Sequence, residues 1–241
     1  MYHGQSRRTW IAIALLVGAS IFVAGSLLLR HRHSAELIHG YSLPFQSVAV
    51  WLPTADTAYP SVASLSEDGT PLLSWRVRYQ RENMSAPLAD LPPLDRPWDS
   101  KDTRKYELSG YPIVCSDRTS MAASMLAVSG RDTAWSNQNI PRTLSHNLIV
   151  VVENTSPDCH WMRPCELDVE HLESDPSWPL RGRLKAGFFV VFADREVWFL
   201  DNRVPPTYLK VFLQQSSAKT NSRDELLGKY VIRRFRQSGR N

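Results

Sequence analysis

Glu153, Asp158 and His160 stand in the order Glu-x4-Asp-x-His, the one compact set of metal-ligand types in this chain. Two carboxylates and an imidazole at such spacing suit zinc or manganese. Next to them Trp161 has a ring that can stack on a sugar, and Asp194 follows an apolar run farther on. Glu153, His160, Trp161 and Asp194 are therefore the candidate binding residues. Structural roles are the favoured reading for His160, Trp161 and Asp194, so neither a metal nor a cofactor is expected. Cys159 and Cys165 are close enough to close a small loop in an oxidising compartment. The alternative is three free, mostly buried thiols, since three cysteines cannot all pair within one chain.

Other constellations fail on local chemistry. Ser145-His146 with Asp158 lacks a Gly-x-Ser-x-Gly elbow, and adjacent side chains on regular backbone point in different directions. Asp99 and Asp102 fall in a loop-like stretch, where solvated charge is the default. The eleven glycines are scattered, with no phosphate-cradling loop among them. Trp98 and Trp135 are further stacking candidates, although Trp is more often partial core. The chain is read as non-enzymatic.

The elements that must position these residues are mostly strands. Asn147 to Glu153 is a short apolar run that predicts a fully buried strand ending at Glu153. Gly187 to Asp194 and Arg195 to Leu200 predict two strands across a short polar joint. Met125 to Gly130 and Phe45 to Leu52 read as further strands, and Ser66 to Gly69 as a turn. Ser74 to Tyr79 fits strand or helix. Any helix in Gln80 to Leu94 is short, and Leu167 to Glu173 suits a short helix. Pro205-Pro206 opens a helix over Tyr208 to Gln215.

Charge is unevenly distributed around the net +4. Residues 1–32 carry Arg7, Arg8, Arg30 and Arg32 and no acid, and residues 216–241 carry seven Lys or Arg against Asp224 and Glu225. The body between is net acidic, which does not suit a nucleic-acid reader, whose basic patch lies on the fold. Basic ends fit a membrane surface better. Trp10 to Leu29 is twenty residues without a charge. As a helix at ~1.5 Å rise it would span ~30 Å, the thickness of a bilayer core. Such a run followed at once by Arg30-His31-Arg32-His33 reads as an uncleaved anchor rather than a cleaved signal peptide. Within 216–241, Leu226, Leu227, Tyr230, Val231 and Phe235 lie beside Lys229, Arg233, Arg234 and Arg236. That pattern reads as a solvated tail or as a basic amphipathic segment.

Several uncommon words occur in order: Ser74-Trp75-Arg76-Val77, Pro97-Trp98-Asp99, Thr133-Ala134-Trp135, Val151-Val152-Glu153, His160-Trp161-Met162 and Phe192-Ala193-Asp194. Over about residues 60–215 they resemble a family of bacterial, chiefly planctomycete, envelope proteins. Its members carry a prepilin-like N-terminus, a domain of unknown function and a closing His-x9-Asp-Gly motif. This chain departs from that motif, with Leu184 at the His position and Arg195 at the Gly position. Leucine cannot ligate a metal, and arginine is penalised where a turn needs positive φ. Gly4 precedes Gln5-Ser6-Arg7-Arg8-Thr9, so the prepilin processing pattern is lost.

What the resemblance implies, joined to the apolar run, is an α+β fold. An N-terminal transmembrane helix would be followed by one extracytoplasmic, pseudopilin-like domain with a mainly antiparallel sheet. The expected organisation is a short tail (1–9), the transmembrane helix (10–29), a membrane-proximal connector (30–59), the family domain (60–215) and a basic tail (216–241). The expected protein is single-pass in the cell inner membrane, with its C-terminal domain outside the cytoplasm and a structural or interaction role. Its partners would be the lipid bilayer, through Trp10 to Leu29, and other envelope proteins, with no nucleic acid. The alternatives are a solute- or polysaccharide-binding module of unknown ligand and, further off, a metal-dependent hydrolase.

Overall fold

The structure is a computed structural model that describes residues 32–53, 59–83, 91–106, 121–136, 143–173 and 182–236. The chain divides into two compact units, Met1–Tyr41 and Ser42–Asn241. The first is described only from residue 32 and is helical there.

In the second unit, residues 42–51 form helix α1. This corrects the strand expected over Phe45 to Leu52. Phe45, Val48, Ala49 and Leu52 are buried, with Val50 exposed. That is the three-and-four spacing of a helix, and the β-branched valines had disguised it. Strand β1 (Ala63–Leu65) pairs antiparallel with β2 (Pro71–Ser74) across the expected turn, where Gly69 takes a φ of +83°. Helix α2 (Trp75–Asn83) starts directly after β2. A single turn, α3 (Lys101–Arg104), is capped by the Ser100 side chain, which accepts from the Thr103 N–H.

The main sheet holds β3 (Met125–Ser129), β4 (Ile149–Glu153), β5 (Leu167–Asp168), β6 (Gly187–Phe192), β7 (Val197–Asp201) and β8 (Val231–Phe235). Its order is β5-β3-β4-β6-β7-β8, with β3 and β5 parallel and every other pair antiparallel. Every residue of β4 and β6 is buried, so these central strands are covered on both faces. Alternation along β6 and β7 sorts the core into two sets. Phe189 and Phe199 are cross-strand partners on one face, where the α1 ring of Phe45 stacks on Phe189 at 4.9 Å. Phe192 and Trp198 meet edge-to-face at 4.9 Å on the other.

Helices α4 (Pro206–Val211), α5 (Gln215–Thr220) and α6 (Arg223–Leu227) follow β7, and a 3-10 turn (Gly228–Tyr230) leads into β8. The stretch read as a tail thus supplies two helices and an edge strand. Leu167 to Glu173 is strand β5 and a 3-10 turn rather than a helix.

The expected fold class is overturned. The described residues form an α+β fold around a mixed six-stranded sheet, and no helix among them is long and apolar enough to cross a membrane. Trp10 to Leu29, and with it the anchor, lies outside the described residues. What stands in place of a pseudopilin-like domain is a sheet whose β5 edge runs parallel to β3 and whose β8 edge comes from the chain's last segment.

Candidate functional site

The word Ser74-Trp75-Arg76-Val77 converges on one carboxylate. Ser74 ends β2 and Trp75 to Val77 open α2, and all four are at most 1% exposed. The Ser74 hydroxyl donates to Glu166 Oε1 at 2.9 Å, and the Trp75 indole N–H donates to Oε2 at 3.0 Å. Arg76 Nη1 lies 3.1 Å from Oε2, which also accepts the Ala127 N–H of β3 at 2.9 Å. The rest of the guanidinium donates to backbone carbonyls: Nε to Trp161 at 2.9 Å, Nη1 to Met125 at 2.8 Å and Nη2 to Arg163 at 2.9 Å. A buried ion pair carries a heavy desolvation penalty, which this many hydrogen bonds offsets.

The loop held this way contains Cys159 and Cys165, which are bonded to each other with their Cα atoms 5.9 Å apart. Cys115 lies outside the described residues. Arg76 and Glu166 were missed in the sequence. Their signal was an arginine between Trp75 and Val77, and an acid after a cysteine, each with no polar neighbour to explain its burial.

The candidates chosen by residue type are placed separately. Glu153 ends β4 at 2% exposure, its Oε1 accepting the Arg183 N–H and its Oε2 the Phe189 N–H, both at 2.9 Å. Burial pushes its carboxyl up to about 7, against the opposing pull of those two hydrogen bonds and of the Arg183 charge. Asp158 sits exposed in a turn. His160 is half-buried and takes the Met162 N–H on Nδ1 at 3.2 Å, with its ring 5.4 Å from that of Trp98. Trp161 is wholly buried. Asp194 pairs with Arg223 of α6, Oδ1 lying 3.0 Å from Nη1. Among the described residues no three His, Cys, Asp or Glu side chains form a group that could hold a metal.

Leu184 and Arg195 flank β6 at its two ends. Leu184 makes an isolated bridge to Gly187 just before β6. Arg195 has a positive φ, at 69°, and its Nη2 donates to the Leu52 carbonyl at 2.6 Å. Trp135, at 2% exposure, packs against Trp75 at 5.2 Å and Trp51 at 6.5 Å, and its indole N–H donates to the Val150 carbonyl at 2.8 Å. Trp161 therefore fills the core, while Trp135, though almost as buried, also forms part of the wall of an open depression with Val62, Ser129, Arg131 and Glu170. No family model, curated protein or solved structure matches this chain.

Proposed function

We propose that this chain is a membrane-associated protein of the cell envelope whose domain works outside the cytoplasm in a structural or interaction role. The observation that carries the reading is the Arg76–Glu166 knot around the Cys159–Cys165 loop, where the strongest polar groups bind backbone and one another. Glu153 and Asp194 are engaged in the same way, with two backbone N–H groups and with Arg223. Disulfides persist in oxidising compartments, which supports a location outside the cytoplasm. The basic ends and the apolar run Trp10 to Leu29 support membrane association, and the resemblance to planctomycete-type envelope proteins points the same way.

The test is fractionation of a bacterium expressing the full chain, with free thiols blocked at lysis. The expected result is chain in the membrane fraction, open to protease added to spheroplasts, with a linked peptide containing Cys159 and Cys165. Soluble cytosolic chain with both thiols blocked would overturn the proposal.

A further inference from the structure

The Arg76 guanidinium lies against the disulfide as well as against Glu166. Its Nη2 is 3.7 Å from Cys159 Sγ and 3.7 Å from Cys165 Sγ, and the side chain has no exposure. The two sulfurs differ in access, since Cys159 is 6% exposed and Cys165 is half-buried. A disulfide opens when a thiolate attacks one sulfur, and it opens faster when the departing sulfur is stabilised as a thiolate. A neighbouring cation provides that stabilisation.

We propose that Cys159–Cys165 is a thiol–disulfide exchange site. It is opened at Cys165 by a thiol reductant, with Cys159 leaving as a thiolate held by Arg76. In the first step the reductant's thiolate bonds to Cys165 Sγ, the Cys159–Cys165 bond breaks, and its electron pair goes to Cys159 Sγ. In the second step another thiolate of the reductant attacks its own sulfur in the mixed disulfide and releases Cys165. Overall the protein disulfide gains two electrons and two protons, and a dithiol becomes a disulfide. The reverse sequence closes the loop.

The loop has anchors that do not depend on the disulfide. Glu166 keeps Ser74, Trp75 and Ala127, the Trp161 N–H donates to the Met121 carbonyl at 2.9 Å, and the Ala123 N–H donates to the Cys159 carbonyl at 2.7 Å. Opening is therefore a local event, and the cation stays beside the sulfur that leaves. The proposal concerns the chemistry of the loop and goes beyond the envelope role.

The experiment treats the oxidised full chain with reduced glutathione under native conditions, quenches with acid, blocks free thiols with N-ethylmaleimide and maps the peptides. Glutathione on Cys165 with maleimide on Cys159 is expected to exceed the reverse pattern about tenfold. Arg76→Met should slow opening about tenfold, and Arg76→Lys should slow it less. If Arg76 merely held the loop together, its loss would speed opening instead, so the sign separates the two roles. Adduct mainly on Cys159, opening only in denaturant, or faster opening in Arg76→Met would each overturn the proposal. Should the Met variant fail to fold, the pattern of adducts on the unaltered chain decides alone.

Discussion

Arg223 reaches back across 29 residues to hold both oxygens of Asp194, Nη1 at 3.0 Å from Oδ1 and Nη2 at 2.5 Å from Oδ2. The same Nη2 lies 3.1 Å from Glu196 Oε2, and the guanidinium covers the rings of Phe192 at 4.4 Å and Trp198 at 4.8 Å. One side chain thus ties α6 to the β6–β7 hairpin through charge and ring contact together. Arg223→Met keeps much of the apolar volume but takes the cation away from Asp194, while Glu196 retains Arg236 and the Trp198 indole N–H. The expected loss is about 3 kcal/mol in denaturant unfolding, because removing one partner of a mostly buried pair strands the other charge. Adding Asp194→Asn to that variant should recover part of the loss, and a purely additive double variant would disprove the coupling.

The C-terminal segment is predicted to be required for folding. A chain ending at residue 215 loses all but the first residue of α5 together with α6 and β8, which leaves β7 as an open edge and removes the buried Ala218 and the buried ring of Phe235. Exposed apolar edges pair with other chains. Such a truncation should aggregate, or unfold without a cooperative transition, as read by circular dichroism and size exclusion. A soluble, cooperatively folding 1–215 chain would refute the integration of this segment.

At Arg195 two effects oppose each other. A φ of 69° disfavours any residue with a Cβ by about 1 kcal/mol relative to glycine, while the side chain's bond to the Leu52 carbonyl is stabilising. Arg195→Gly should therefore change stability little. Arg195→Ala, which keeps the strain and loses the bond, should be about 1 kcal/mol less stable than the glycine variant. Equal stabilities for the two variants would mean that the turn rearranges.

Glu153 makes stability depend on pH. Its carboxyl is raised from 4.5 to about 7 by burial, so between those values the folded chain holds a proton that the unfolded chain has released. Stability is then expected to fall as pH rises through that window, by about 3 kcal/mol in all, and this group adds no slope above or below it. Urea midpoints across pH 4 to 8 measure the slope. Glu153→Gln should remove this group's share of it, and an unchanged slope in that variant would assign the dependence elsewhere.

Strand identity was legible wherever the pattern was local. The β6–β7 pair, the buried run ending at Glu153, the strand at Met125 and the turn at Gly69 all follow from contiguous apolar residues and turn formers, whose preferences act over a few positions. Helix α1 was misread because its valines favour a strand locally. Only the buried face presented by the sheet made the three-and-four spacing of Phe45, Val48, Ala49 and Leu52 decisive.

Partner choice is where tertiary structure decided. Nothing near Arg76 in sequence points to Glu166, 90 residues away, and the C-terminal arginines read as solvated until Asp194, Glu196 and the Trp198 ring are placed beside them. Glu153 likewise changed from candidate ligand to acceptor of two backbone N–H groups once β6 lay alongside β4. A charged side chain carries the same information in water as in a core. Its role is set by which groups share its desolvated site, and that depends on contacts made only after the chain has folded.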